Sequence, residues 1–397
     1  MTVFGTRPEV IKLAPVVAEL ARRPARFRSV VVSSGQHVEL LDPFVTLFGL
    51  TVDHDLAVMR PGQPLTQLFA RVAHALDPIL DAVRPDVVLV QGDTTTAVAA
   101  ALAAFHRRVP VGHVEAGLRT SDPQSPFPEE MNRRLISRLA RWHFAGTRDN
   151  VLSLRREGVP PAAIFLTGNP VVDALQGLGA RPPSDRLVKL LAATDGLKRI
   201  TLTTHRRESF PAALEQNLRA LRGFLDRHPD TALIFPMHPN PIVREKAYSV
   251  LAGVERAHLT EPFDYPDFIA LLRHSWRIAS DSGGVQEEAP SLGVPLIVLR
   301  ESTERPEAVA CGAATLAPTA DALAEALTAA YWATVDTLGA PSADASSHET
   351  EVDFGEVPPV APAVRNPFGD GRAAKRIANV LYRELSGIPA AVREAVG

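Results

Sequence analysis

The sequence predicts an α/β protein made of two Rossmann-like domains that face a cleft. Three observations support this fold class. The chain has 397 residues, enough for two or three domains at about 150 residues each. Short apolar runs rich in β-branched residues alternate with longer stretches of helical periodicity, which is typical of βαβ units and a parallel sheet. The alternation stops near the middle of the chain and then begins again.

The first series of units occupies the N-terminal part of the chain. Each predicted strand is a continuous apolar run, as expected for a strand covered on both faces, and a polar or glycine-containing turn follows it. These strands are residues 2–4, 29–32, 86–90 and 109–114. A helix with one apolar face follows the first strand, and an alanine-rich helix follows the third.

The second series repeats this pattern after a Gly- and Pro-containing stretch at residues 178–185. Its predicted strands are residues 199–203, 232–236, 276–280 and 295–299. We therefore expect a first domain over residues 1–175 and a second over residues 176–372, with a last helix in residues 373–397. Residues 340–364 are rich in Pro, Ser and acidic side chains, so they are predicted to be a loop or a disordered insertion.

Composition excludes several classes of protein. The net charge is −3 and charged residues make up 22% of the chain, which gives no basic signature of nucleic-acid binding. The single cysteine excludes an internal disulfide and a multi-cysteine metal site. The longest apolar run is far shorter than the ~18 residues of a membrane helix, and polar residues interrupt the N-terminus where a secretory signal would be apolar. We expect a cytoplasmic protein with no nucleic-acid or membrane partner.

The most specific local motif is Asp-Ser-Gly-Gly-Val-Gln-Glu-Glu at residues 281–288, between a predicted strand and a predicted helix. Gly283 and Gly284 let the backbone approach a ligand closely, and the helix N-terminus offers N–H donors to a phosphate. Ser282 adds a hydroxyl donor. Glu288 either complements the helix dipole or accepts hydrogen bonds from a ribose diol. The motif predicts phosphate and ribose binding, with simple helix capping as the alternative.

A second strand-to-helix turn carries Arg7, which is placed to bind an anion at the end of the first strand. Pro8 suits the first position of a helix. The alternative for Arg7 is an ordinary surface position. Lys12 lies about one turn deeper in the same helix, where a lysine is more often solvated, and it is a further candidate for binding.

Three carboxylates stand out in the first half of the chain. Asp93 and Glu115 each directly follow a predicted strand, and Glu129 lies in a Pro-rich loop before a helix. Taken singly, Asp93 could be a helix cap and Glu129 a first-turn acid. As a set in one cleft they suit proton transfer, because crowded carboxylates raise one another's pKa and let one act as acid and another as base.

The second half supplies His205 and Arg206 after one predicted strand and His238 after the next. A zinc site built from His205, His238 and an acid is conceivable. However, the chain has neither an HExxH motif nor paired cysteines, so the sequence predicts no metal. A P-loop and a Gly-x-Ser-x-Gly elbow are both absent from the sequence.

In their order along the chain, these motifs resemble those of the non-hydrolysing UDP-N-acetylglucosamine 2-epimerases, over about residues 1–319 and 366–385. The matching segments are residues 4–9, 92–96, 113–119, 128–130, 167–169, 205–209, 281–290 and 303–307. The resemblance implies a glycosyltransferase-B fold, in which the C-terminal helix crosses back to the first domain.

The resemblance also implies an activity. Members of this family interconvert UDP-GlcNAc and UDP-ManNAc without a cofactor, by eliminating UDP to give 2-acetamidoglucal and then adding UDP back. By motif position, Asp93, Glu115, Glu129 and His205 match catalytic residues of the family. The matching or plausible substrate-binding residues are Arg7, Lys12, His238, Phe268, Ser282, Gly283, Gly284, Glu288 and Arg305.

Some members of the family hold a second UDP-GlcNAc as an activator, and the corresponding residues here are Gln36, His37, Gln63 and Arg206. Gly62 stands where some members carry an arginine for that ligand. The family also implies a homodimer. Three other functions stay open: a hydrolysing 2-epimerase, a 2-epimerase of a related UDP-N-acetyl sugar, and a glycosyltransferase of the same fold.

Overall fold

The computed structural model describes residues 1–35, 38–60, 62–120, 122–179, 181–204, 211–338 and 366–387. The chain divides into two compact units. The first unit comprises Met1–Gly179 and the chain from Pro367 onward, and the second comprises the residues between them. The predicted insertion at 340–364 lies outside the described residues.

The first unit contains a seven-stranded parallel sheet with the strand order β3-β2-β1-β4-β5-β6-β7. Its strands are β1 (Thr2–Phe4), β2 (Val31–Ser33), β3 (His54–Asp55), β4 (Val88–Gln91), β5 (Val111–Ala116), β6 (Trp142–Ala145) and β7 (Ile164–Leu166). Its helices are α1 (Arg7–Ala21), α2 (Val38–Leu47), α3 (Leu65–Val83), α4 (Thr95–His106), α5 (Glu129–Leu139), α6 (Arg148–Arg156) and α7 (Pro170–Leu178), with a 3₁₀ turn at Pro161–Ala163.

The second unit contains a six-stranded parallel sheet with the order β10-β9-β8-β11-β12-β13. Its strands are β8 (Lys198–Thr203), β9 (Thr231–Pro236), β10 (Ala257–Thr260), β11 (Arg277–Ser280), β12 (Leu296–Val298) and β13 (Ala314–Leu316). Its helices are α8 (Asp185–Ala193), α9 (Pro211–Arg227), α10 (Pro241–Leu251), α11 (Tyr265–Arg273), α12 (Val285–Leu292), α13 (Pro306–Ala310) and α14 (Ala320–Leu338). This order is that of a Rossmann sheet, so the predicted fold class is confirmed.

The last helix, α15 (Ala373–Ser386), belongs to the first unit, as the resemblance implies. Its buried Ile377, Ala378 and Leu381 pack in one apolar cluster with side chains of α1. The Asp173 carboxylate on α7 accepts hydrogen bonds from the N–H groups of Ala373 (3.1 Å) and Ala374 (2.9 Å). A carboxylate at this position satisfies first-turn donors that the helix itself cannot pair.

The strand orders locate the positions where ligands are expected to bind. In each sheet the direction of winding reverses once, between β1 and β4 in the first unit and between β8 and β11 in the second. Parallel α/β sheets bind ligands outside the carboxyl ends of the strands at this reversal. None of the helices that the structure describes is long and apolar enough to cross a membrane.

Candidate functional site

In the first unit, the turns after β1 and β4 form the predicted ligand-binding edge. Gly5 directly follows β1, and any side chain there would collide with the hydroxyls of Ser34 and Thr96, so the turn requires glycine. Arg7 begins α1 and is half-buried. Its guanidinium carbon lies 5.7 Å from the centre of the Phe44 ring, within the range of a cation–π contact.

Glu9, which no sequence motif indicates as a site residue, joins these two turns. One of its carboxylate oxygens accepts hydrogen bonds from the N–H groups of Gly5 (2.9 Å) and Thr6 (2.7 Å). The other accepts one from the Thr94 hydroxyl at 2.7 Å, on the turn that follows β4. Burial raises the pKa of Glu9 to about 7, because removal from water outweighs the effect of these donors. Glu9 therefore holds a proton over much of the acidic range.

The Glu9 carboxyl predicts a specific dependence of stability on pH. Its pKa is about 7 in the folded chain, against the ordinary glutamate value of 4.5, so the folded state binds the proton more tightly than the unfolded state. This group's contribution to stability is therefore full below about pH 4.5 and falls by about 3 kcal/mol as the pH rises to about 7. Glu9→Gln imitates the protonated acid. Urea titrations should show the variant gaining stability relative to wild type across this range, and a constant difference would contradict the assignment.

Glu115 is the most enclosed of the three predicted carboxylates. The sequence places it just past a strand, and this is wrong: it lies within β5, where the register with β6 shifts between Val114 and Ala116. Its φ of +62° is in the left-handed region, which is strained for a residue with a side chain. The residue is only 6% exposed. The bulge turns an otherwise regular strand residue into one held at a special backbone position.

Three donors surround the Glu115 carboxylate. Lys12 on α1 forms a buried ion pair with Oε1, and the Gln91 side-chain amide at the end of β4 donates to Oε2. The Asn169 side-chain amide donates to Oε1 at 3.1 Å. The expectation that Lys12 is solvated is wrong, because the residue is only 6% exposed. A cation and two amide donors together stabilise the ionised carboxylate.

Asp93 is held on the turn after β4. Its side chain is 28% exposed, and its Oδ2 lies 3.4 Å from Nε of Arg133. The Asn132 side chain donates to the Asp93 carbonyl at 2.8 Å. The His113 ring lies 2.7 Å from the Gly92 carbonyl through Nε2. Burial lowers the pKa of His113 to about 3, so the ring is neutral and Nε2–H is the donor.

Glu129 begins α5, directly after the loop that the sequence singled out, and is half-buried. Its carbonyl accepts a long hydrogen bond (3.4 Å) from Nε of Arg133, the same atom that lies beside Asp93. The next residue, Glu130, is fully buried and accepts hydrogen bonds from Thr120 N–H (3.0 Å) and Arg134 (2.9 Å). Asn132 and Arg133 thus both link the Asp93 turn to α5.

The carboxylate positions form one connected region of the first unit. A side chain added at Gly92 would lie 3.7 Å from Oε2 of Glu115, so the Asp93 turn begins beside that carboxylate. Asp93 in turn contacts Arg133 of the helix that Glu129 begins. The Asp93 turn therefore lies beside Glu115, and Arg133 contacts both the Asp93 carboxylate and the Glu129 carbonyl, which the sequence alone does not indicate.

In the second unit, the Gly-Gly turn follows β11 at the winding reversal. The N–H of Ser282 donates to the Ser280 hydroxyl at 3.0 Å, which fixes the start of the turn. A side chain at Gly283 would lie 3.1 Å from Nη1 of Arg305, so the guanidinium packs directly against the glycine. Gly284 is exposed and precedes α12. The first-turn N–H groups of α12 supply donors suited to an anion.

The two acids of α12 have different partners. Nε of Arg305 donates to Glu287 at 2.6 Å, and the Tyr265 hydroxyl donates to Glu288 at 2.8 Å. Glu304 contacts Arg305 at 3.6 Å and also accepts two hydrogen bonds (2.9 Å each) from Arg300. Burial opposes ionisation of Glu304, but the hydrogen bonds and positive charge of Arg300 prevail and lower its pKa to about 2. These ion pairs hold Arg305 in place beside the turn.

The remaining predicted residues divide into described and undescribed positions. His238 follows β9 and is half-buried, and its Nδ1 accepts a hydrogen bond from the Asn240 N–H at 3.2 Å. Phe268 lies on α11 and is also half-buried. Gln63, predicted for an activator, accepts a hydrogen bond from Arg71 at 2.6 Å. Gln36, His37, His205 and Arg206 lie outside the described residues. Within the described ranges, His, Cys, Asp and Glu side chains form no group of three that could hold a metal.

Two Rossmann-like sheets with polar turns at their winding reversals define an α/β enzyme of the glycosyltransferase-B type. The chain belongs to the UDP-N-acetylglucosamine 2-epimerase family, whose family model matches residues 18–382. It is 44% identical over 389 residues to the UDP-N-acetylglucosamine 2-epimerase of Escherichia coli K12, covering 96% of this chain and 97% of that protein.

Solved structures of related proteins agree with this assignment. The UDP-GlcNAc 2-epimerase of Neisseria meningitidis bound to UDP-GlcNAc has 39% identity and a TM-score of 0.82, over 96% of this chain and 99% of that one. The UDP-GlcNAc 2-epimerase of Methanocaldococcus jannaschii in complex with UDP-GlcNAc and UDP has 29% identity and a TM-score of 0.76, over 96% and 99%.

Proposed function

We propose that this protein interconverts UDP-GlcNAc and UDP-ManNAc by eliminating UDP to enzyme-bound 2-acetamidoglucal and adding it back. The observation that carries the proposal is the connected set of Asp93, Glu115 and Glu129 in a chain of this family. In the elimination, a base takes the C2 proton, the C1–O bond breaks, and UDP leaves with the bonding electrons. In the addition, a UDP oxygen attacks C1 and an acid delivers a proton to C2.

Epimerisation places a requirement on the proton carriers. The proton leaves one face of C2 and returns to the opposite face, so one carboxylate on one side cannot serve both steps. Two groups with different environments meet this need. Glu115 is buried and paired with Lys12, whereas Asp93 is partly exposed beside Arg133. This difference supports distinct roles for the two carboxylates, and Glu129 adds a third candidate at the start of α5.

We assign the UDP portion to the second unit. Ser282, Gly283, Gly284 and the first turn of α12 would bind the diphosphate, with Arg305 contributing positive charge. Glu288, oriented by the Tyr265 hydroxyl, would accept hydrogen bonds from the ribose. Arg7, Lys12, His238 and Phe268 complete the proposed binding set, and His205 is proposed as a catalytic residue near the diphosphate.

The proposal includes activation by a second UDP-GlcNAc, a homodimer, and a cytoplasmic location. The M. jannaschii relative is in complex with both UDP-GlcNAc and UDP, which supports two nucleotide positions. Gln63 is the member of the proposed activator set that the structure describes. A reaction started from UDP-ManNAc alone would show activation as a lag that added UDP-GlcNAc removes.

The test of the proposed function is a product analysis in deuterium oxide. UDP-GlcNAc incubated with the protein should yield UDP-ManNAc that carries deuterium at C2, observed by proton NMR. Release of UDP and free ManNAc would instead indicate a hydrolysing epimerase, and turnover of a different UDP-N-acetyl sugar would change the substrate. Transfer to an acceptor with retention of the C2 proton would indicate a glycosyltransferase. No interconversion, with or without activator, would refute the proposal.

A further inference from the structure

Two hydrogen bonds of Asn169 join separate parts of the first unit, and its side chain also caps a helix. Its side-chain oxygen accepts the N–H of Val171 at 3.0 Å and caps α7. Its side-chain amide donates to Glu115 at 3.1 Å. Its backbone N–H donates to the Phe368 carbonyl at 2.8 Å, on the segment that leads into α15. The residue is 3% exposed, so water does not compete effectively for these groups.

We infer that Asn169 is a positioning residue for Glu115, and that the docked C-terminal segment holds Asn169 in place. The inference rests on the proposed function, because it gives Glu115 a role in proton transfer. Glu115 has a left-handed φ within a bulge, so the regular strand geometry does not set the direction of its side chain. Donors from outside the strand must do so, and Asn169 is a donor whose own backbone N–H is hydrogen-bonded to the C-terminal segment at Phe368.

Contacts of the C-terminal segment, the chain from Phe368 into α15, support the inference that this segment holds Asn169 in place. Gly168, next to Asn169, has a φ of +87°, and a side chain there would lie 3.3 Å from the Phe368 carbonyl. Phe368 is 2% exposed. Arg376 on α15 donates to the Thr167 carbonyl at 3.1 Å. The two residues before Asn169 therefore contact Phe368 and Arg376 of α15, which limits the movement of the Asn169 backbone.

The simpler explanation is that Asn169 only caps α7, and the two explanations differ in the residues they tolerate. A cap needs an oxygen acceptor, so Asp and Ser serve about as well as Asn. Holding Glu115 needs an amide donor, which neither residue has. Asn169→Asp keeps the cap and places a second carboxylate against Glu115, which is already paired with the Lys12 ammonium on α1. Asn169→Ser keeps the cap and removes the donor without adding charge.

The first measurement does not depend on turnover. Protein labelled with carbon-13 at the glutamate side-chain carboxyl is titrated by NMR, and the Glu115 signal is identified by its loss in Glu115→Gln. In Asn169→Asp the titration midpoint of Glu115 should rise by about one pH unit or more, because a like charge disfavours ionisation. An unchanged midpoint would overturn the inference even if the protein is not an epimerase.

The second measurement is the pH dependence of turnover. Asn169→Asp should move the acidic limb of the kcat profile upward by a similar amount, so kcat should fall by about tenfold at pH values below that limb. Asn169→Ser should lower kcat without a comparable shift. An unaltered profile in active Asn169→Asp protein would overturn the inference. A wild-type protein that does not interconvert the sugars would instead refute the proposed function.

A matched variant controls for the exchange itself. Asn240 also caps a helix ahead of a proline, accepting the Ile242 N–H at 3.0 Å at the start of α10. Asn240→Asp therefore reports what the same exchange does to the melting temperature of the protein. If Asn169→Asp melts at nearly the same temperature as Asn240→Asp while its Glu115 titration moves, the effect is on the carboxylate and not on the cap.

Discussion

Asp93→Asn is expected to lower the turnover of UDP-GlcNAc by about 10²- to 10⁴-fold, the usual contribution of a general acid or base. The exchange removes the proton-carrying group while keeping its size. Asp93 is 28% exposed and stands on a turn, so it is not part of a packed core. Its backbone carbonyl, held by Asn132, is unaffected by the substitution. Deuterium incorporation at C2, followed by NMR, should fall together with epimerisation.

A structural effect of this substitution can be separated from a chemical one. Asp195→Asn makes the same change at a side chain that is 91% exposed, and it should leave both turnover and melting temperature at the wild-type level. Asp93→Asn should melt within a few degrees of wild type. If it retains more than about a tenth of wild-type turnover, Asp93 is not one of the proton carriers.

The central strands of both sheets could be predicted because each is a continuous apolar run ahead of a polar turn. The edge strands β3 and β10 could not, since they are short and partly exposed and offer no such run. The strand β6 was missed because His143 interrupts its apolar pattern. That histidine is buried in the sheet and bonded to the Ser137 carbonyl at 3.1 Å, a contact that compensates for its burial.

The site was predicted only as far as motifs could indicate it. Asp93, Glu129 and the Gly-Gly turn lie at strand or helix ends, where the winding of an α/β sheet places ligands. The roles of Glu9, Gln91, Arg133 and Asn169 depend on contacts with residues distant in sequence, which a single sequence does not reveal. Glu115 was predicted to lie just after the strand, whereas it lies within β5. The bulge that creates its position has no sequence signature of its own.

Breaking the buried Lys12–Glu115 pair should strongly destabilise the first unit. Both side chains are less than a tenth exposed. Lys12→Met would leave the buried carboxylate without its cation, at an expected cost of about 3–5 kcal/mol in the free energy of unfolding. Glu115→Gln would leave the ammonium facing a neutral amide, with a comparable cost. The double variant has no buried charge at either position and should be more stable than the sum of the single losses predicts, by at least about 1 kcal/mol.

Urea titrations of wild type, both single variants and the double variant measure this coupling. The matched comparison is Lys246→Met, which breaks the pair of Lys246 with Glu215 (2.7 Å), where both side chains are far more accessible. The free energy of unfolding of Lys246→Met should fall much less, because water solvates the charge that remains on Glu215. Equal losses for Lys12→Met and Lys246→Met, or strictly additive losses in the double variant, would show that the buried pair is not coupled. A coupled pair would explain how a carboxyl group is accommodated inside β5, because its partner cation comes from the helix that follows the first ligand-binding turn.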